Sequence, residues 1–224
     1  MIQKPGRQPE TAAVRRLLMA AAVITGVLGA TSSAAAQLVK PPVTPAIITP
    51  PAGNSAFLFG RAVGTQGYVC LPTSAGASWT VNGSRPEATL FIKLFGQDVQ
   101  ITTHFLSPNT NPNQSAPNPL PFGSPTWQSS LDSSRVWAQA LYSSPAGADP
   151  SCPNAGSIPC LLLQSIGSEP GPSGGRILTQ TTFVQRLNTN GGTAPATGCA
   201  GAADVGKQTL VPYTADYYFF RGNH

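Results

Sequence analysis

The sequence predicts an all-β fold: a single-domain antiparallel β-sandwich or flattened barrel with long loops. Three observations carry this. Beyond residue 54 the chain breaks into short runs of β-branched and aromatic residues, separated by turn-forming Gly, Pro, Ser and Asn. Several of those runs alternate polar and apolar residues with a period of two. Helical spacing is sustained over one stretch at most.

Taken in order, residues 37–54, "QLVKPPVTPAIITPPAGN", hold five prolines and are expected to be extended, as a polyproline-like linker or an edge segment lying on the domain. Candidate strands follow at 56–63, 66–71, 77–82, 87–95, 98–106, 157–166, 176–188 and 211–220. In "DVQITTHF", Val99, Ile101, Thr103 and Phe105 alternate with Asp98, Gln100, Thr102 and His104, which puts His104 on the polar side of a half-buried strand. "YTADYYFF" sets Tyr213, Ala215, Tyr217 and Phe219 on one face. "DSSRVWAQALYSS" is the one stretch with helical spacing, with Asp132 as its cap, but it alternates equally well and is read as a strand. Residues 107–124 are too rich in Pro and Asn for either element and read as a long surface loop.

The N-terminus reads as an export signal over residues 1–36. Arg15-Arg16 precedes "LLMAAAVITGVLGA", and Ala34-Ala35-Ala36 offers a small-x-small cleavage site, so the mature chain is expected to start at Gln37 and reside in the periplasm or outside the cell. The apolar run is shorter than the roughly 20 residues a membrane-crossing helix needs, so no membrane span is expected in the mature chain. The formal charge of +5 falls to +2 once the net +3 of Lys4, Arg7, Arg15, Arg16 and Glu10 leaves with the signal. The remaining basic residues are scattered singly, not clustered on one face, and nucleic acid is not expected as a partner.

Cys70, Cys152, Cys160 and Cys199 in an exported chain read as two disulfides, with three connectivities open. Their spacing fits no zinc knuckle.

Little in the sequence points to catalysis. Gly171-Pro172-Ser173-Gly174-Gly175 matches the nucleophile-elbow pattern, but a β-branched run follows where a helix is required. The mature chain has two histidines, one of them the terminal His224, and no clustered His, Asp or Glu; no catalytic residue, metal ligand or cofactor is assigned. No dinucleotide fingerprint follows a strand. Trp79, Trp127 and Trp137 are read first as core residues. Trp127 is the exception worth testing, because it follows the long polar loop. If there is a ligand site, it is expected where His104, Trp127 and the loop 107–124 meet, taking a small molecule or a glycan. The function read from the residues is therefore an exported, non-catalytic binding or structural module in a domain spanning 55–224. The alternative is a secreted hydrolase or metal-dependent enzyme that uses His104.

Seven motifs in order, "GTQGYVC", "PEATLFI", a strand ending in histidine, "PTWQ", "SIPCLLL", "FVQRLNTNGGTAPATGC" and "VPYTADYYFF", resemble a secreted bacterial and fungal family known as domain of unknown function 3455. The resemblance spans about residues 45–220 and implies an exported, β-rich protein. Some relatives carry a dehydrogenase label that these residues do not support, so no activity comes with it. The chain departs from the family by inserting the loop 107–124, and by placing Cys160 where Ile-Pro-Trp is usual. Cys70 and Cys199 match family cysteines and Cys152 and Cys160 are extra, which implies pairing Cys70 with Cys199 and Cys152 with Cys160. "FVQRLNTNGGTAPATGC" then reads as a strand leading into a glycine turn pinned by Cys199. The other possibility, a phosphate cradle beside Arg186, lacks a helix N-terminus behind the glycines.

Overall fold

The structure, a computed structural model, describes residues 39–108 and 123–223. The expected signal segment, most of the loop 107–124, and His224 lie outside the described residues. Eight strands follow in order: β1 Asn54–Thr73, β2 Gly76–Leu94, β3 Gln97–Ser107, β4 Ser124–Ser129, β5 Arg135–Ser144, β6 Cys160–Glu169, β7 Phe183–Gly191 and β8 Gln208–Gly222. Each pairs antiparallel with its neighbours in sequence, and β8 returns to pair with β1. The sheet therefore closes into an up-and-down barrel with no free edge. Of the two architectures the sequence leaves open, the protein adopts the barrel.

Glycine proved a poorer strand breaker than its propensity suggests. The two runs expected at 56–63 and 66–71 are one strand, as are those at 77–82 and 87–95. Gly64 sits inside β1, opposite Ala88 on one side and Tyr213 on the other. A Cβ there would lie 2.1 Å from the Glu87 carbonyl, so the glycine lets β1 and β2 approach closely. Tertiary pairing on both flanks outweighs the local preference for a turn.

The stretch with helical spacing is strand β5, while β4 was not anticipated as a strand at all. The run expected to begin at 176 starts only at Phe183, because residues 177–180 form a turn that inserts Leu178 into the core. Asp132 caps no helix. Its carboxylate accepts hydrogen bonds from the Ile177 amide at 2.8 Å, the Ser134 amide at 3.1 Å and the Ser134 hydroxyl at 2.7 Å, tying the β4–β5 turn to the β6–β7 loop.

Even-numbered strands run toward one rim and odd-numbered strands away from it. Turns 95–96 and 130–134 and the loop 170–182 gather at the first rim, where Leu178 joins the buried core cluster that also contains Val136, Val184 and Phe219. The tight turn 74–75 and the loops 145–159 and 192–207 lie at the opposite rim. There Cys70 is bonded to Cys199 and Cys152 to Cys160, with Cα separations of 5.6 and 6.1 Å. A second, outer cluster joins Ile48, Cys152, Cys160, Leu162 and Leu187. Gln185 donates to the Ile48 carbonyl at 2.7 Å, so the proline-rich segment lies against the outside of the barrel. Among the described residues no helix is long and apolar enough to cross a membrane.

Candidate ligand-binding site

Register brings His104 and Trp127 together. They face each other across the β3–β4 ladder, where side chains of opposed residues project to the same face of the sheet. Their rings stack with centroids 4.3 Å apart and planes 8° apart. Tyr217 of β8 completes the group, 5.7 Å from His104 and 5.8 Å from Trp127. A ladder of backbone hydrogen bonds holds these two residues side by side.

The expectation that His104 occupies the polar side of its strand needs correction, since that side faces inward. Thr102 and His104 are buried, whereas Thr103 and Phe105 are only half-buried. A register shift between Leu90 and Phe91 leaves Ile101 out of the β2–β3 pairing, yet Ile101 is also buried. This bulge breaks the alternation on which the sequence reading relied.

Burial fixes the chemistry of the imidazole. Its Nδ1 lies 2.9 Å from the Thr126 carbonyl, an acceptor only, so Nδ1–H donates and Nε2 keeps its lone pair. Loss of solvation, reinforced by the charge of Arg186, outweighs that hydrogen bond and brings the His104 pKa down to about 4. The ring is therefore neutral near pH 7.

These aromatic side chains border a cavity of about 320 Å³ at the disulfide-bonded rim. Its other walls are largely aliphatic, including Leu161 and Leu163, and it reaches solvent past Val81, Ala140 and Pro159, all exposed. An eight-stranded barrel is just wide enough to be filled by side chains or to hold one small ligand. This one does both, filled at one rim and hollow at the other.

Arg186 also lines the cavity, and the sequence reading missed it as a site residue. It is only 9% exposed. Its Nη2 donates to the Pro159 carbonyl at 2.8 Å, and its Nε has no partner. Strand parity was the available signal: Arg186 shares a face with Val184, a core residue, while Gln185 turns outward to Ile48. The Arg186 charge also opposes the upward shift that burial imposes on the Tyr68 and Tyr213 hydroxyls.

Elsewhere the other candidates have structural jobs. Trp79 donates to the Thr197 carbonyl at 2.9 Å, and buried Trp137 donates to the Ser107 hydroxyl at 2.8 Å; neither lines the cavity. Ser173 is exposed in a loop, and its flanking glycines are there for space: a Cβ on Gly171 would lie 1.7 Å from the Asp132 carbonyl oxygen, and one on Gly175 would lie 2.4 Å from the Asp132 Cβ. Gly191 and Gly192 adopt φ of 79° and 81°. Their amides are taken by the Ser157 hydroxyl at 3.0 Å and the Pro212 carbonyl at 2.9 Å, leaving neither N–H for a phosphate. Among the described residues no three His, Cys, Asp or Glu side chains converge as a metal site would require.

Comparison with curated proteins and with solved structures returned no match. Residues 51–221 do match the pattern of the family described as Protein of unknown function (DUF3455), which takes in seven of the eight strands entire and all but the last residue of β8. The chain belongs to the DUF3455 family.

Proposed function

We propose that this protein is an exported, non-catalytic binding barrel that takes a small, mostly apolar molecule into the cavity beside His104 and Trp127. The observation that carries this reading is the cavity itself: about 320 Å³, bordered by a stacked imidazole–indole pair and aliphatic side chains, and reaching solvent at one rim. That volume is within the range of small-molecule sites, and its wall has the usual character, apolar with a few polar groups. A glycan suits it less well, because sugar hydroxyls lose their hydration against an aliphatic wall without enough partners in return. Export is supported by the signal-like N-terminus and by two disulfides, which persist in oxidising compartments.

The alternative is a hydrolase or metal enzyme that uses His104. An imidazole with a pKa of about 4 is a weak general base near neutral pH, where the best catalytic base has a pKa close to ambient. A thermal-shift screen of the oxidised mature chain against neutral aromatics, glycans and metal salts separates the readings. An apolar compound should raise the melting temperature in a concentration-dependent way, and Ala140→Trp, which fills the mouth, should abolish the effect. If the shift survives Ala140→Trp, or only glycans or metals produce one, the reading fails. Ester hydrolysis that His104→Gln abolishes while the fold is kept would establish the enzyme instead.

A further inference from the structure

We propose that the molecule the barrel takes is an anion: a small monocarboxylate whose apolar body fills the cavity and whose carboxylate pairs with Arg186. This rests on the binding reading above and goes beyond it by assigning the ligand's charge and the residue that selects it. A guanidinium cannot shed its charge, so burying one in an apolar wall is costly unless an anion or several acceptors meet it. Among the described residues Arg186 has one acceptor, the Pro159 carbonyl. The described ion pairs, Lys93 with Asp98 and Lys207 with Asp204, do not involve it.

Trp127, another residue of the cavity wall, carries a buried indole N–H that has no acceptor. A ligand that brings negative charge and acceptor oxygens would meet the charge of Arg186, which no described carboxylate balances. Carboxylate fits better than phosphate. A single guanidinium balances one negative charge, its planar fork matches two carboxylate oxygens, and the neighbouring glycine amides that would serve a phosphate are occupied.

Calorimetric titration of the oxidised mature protein at neutral pH with two matched pairs, cinnamate against cinnamamide and octanoate against octanamide, tests this. Each acid should bind at least about tenfold more tightly than its amide, a discrimination expected of a charge-assisted hydrogen bond in an apolar site. In Arg186→Met the acid should fall to the level of the amide while the amide keeps its affinity. The free methionine variant should melt no lower than the wild type, because it removes an unpaired buried charge and keeps the volume. Arg186→Lys, which keeps the charge and loses the fork, should retain part of the preference and serves as the variant if Arg186→Met does not fold.

Equal binding of acid and amide to the wild type would overturn the anion assignment and leave the apolar-ligand reading standing. A preference that persists in Arg186→Met would overturn it by removing Arg186 as its source. No binding of either acid at about 10 mM, far above the dissociation constant of any selective site, would overturn it as well.

Discussion

At the rim that Leu178 plugs, the barrel is held by packing: Leu178, Phe219, Val136 and Val184 fill the interior, and the Asp132 carboxylate knots two loops together above them. At the rim where His104 and Arg186 sit, the interior is hollow, and the loops 145–159 and 192–207 and both disulfides are found. A hollow end forgoes the dispersion contacts and apolar burial that a filled end makes. Covalent cross-links stabilise by a different route, narrowing the unfolded ensemble without occupying any interior volume. The barrel can thus keep an unfilled space at one end because that end does not depend on filling it.

The largest effect should come from cutting the cross-link that spans the cavity rim. Cys70 and Cys199 are 129 residues apart in sequence and Cys152 and Cys160 only 8. By the chain-entropy argument, replacing the first pair with serine should cost about 5 kcal/mol and replacing the second about 2.5 kcal/mol. Urea denaturation of the two double variants measures both. Equal losses would mean that local packing, not loop closure, sets the contribution of each bond, and the contrast between the rims would weaken.

Core truncation should show the opposite asymmetry. Leu178→Ala leaves a void in a filled interior and should cost roughly 2–5 kcal/mol. Leu106→Ala, at a half-buried position beside an existing cavity, should cost about 1 kcal/mol because little packing is there to lose. The same denaturation measurement compares them, and a Leu106→Ala loss as large as that of Leu178→Ala would show that the cavity rim is packed after all.

The two rims were also unequally legible in the sequence. The all-β class followed from local rules, turn chemistry and period-two alternation, which operate within a few residues. Closure of β8 onto β1 is a pairing between the two ends of the domain, and no local signal encodes it. The Ile177–Thr182 segment was misread because its β-branched residues mimic a strand; the Asp132 carboxylate, 45 residues upstream of Ile177, is what holds it as a turn. At the cavity rim His104 and Trp127 stood out because the sequence placed them on either side of one connection. Arg186 did not, since its membership depends on which face of β7 points inward, and in a strand buried on both faces composition does not reveal that.

Acid should loosen the cavity rim before the plugged one. The pKa of His104 is lowered from 6.5 to about 4, so its contribution to stability is fully present above pH 6.5, where neither state is protonated. It is lost as the pH falls toward 4, because the unfolded chain takes up a proton that the folded ring resists. The shift corresponds to a loss on the order of 3 kcal/mol across that window. Asp132 is also depressed: burial opposes the shift, but hydrogen bonds from Ile177 and Ser134 prevail. Its contribution is therefore present above the ordinary carboxylate range and lost only below it. Denaturation midpoints at pH 7.5, 5.5 and 4 should fall steeply for the wild type, and much less for His104→Gln, whose amide can still donate to the Thr126 carbonyl. Hydrogen exchange over the same range should speed up first in β3 and β4 near His104, while amides around Asp132 and Leu178 hold until lower pH. If His104→Gln shows the wild-type slope, or exchange quickens first at the plugged rim, the imidazole is not what makes the hollow end acid-sensitive.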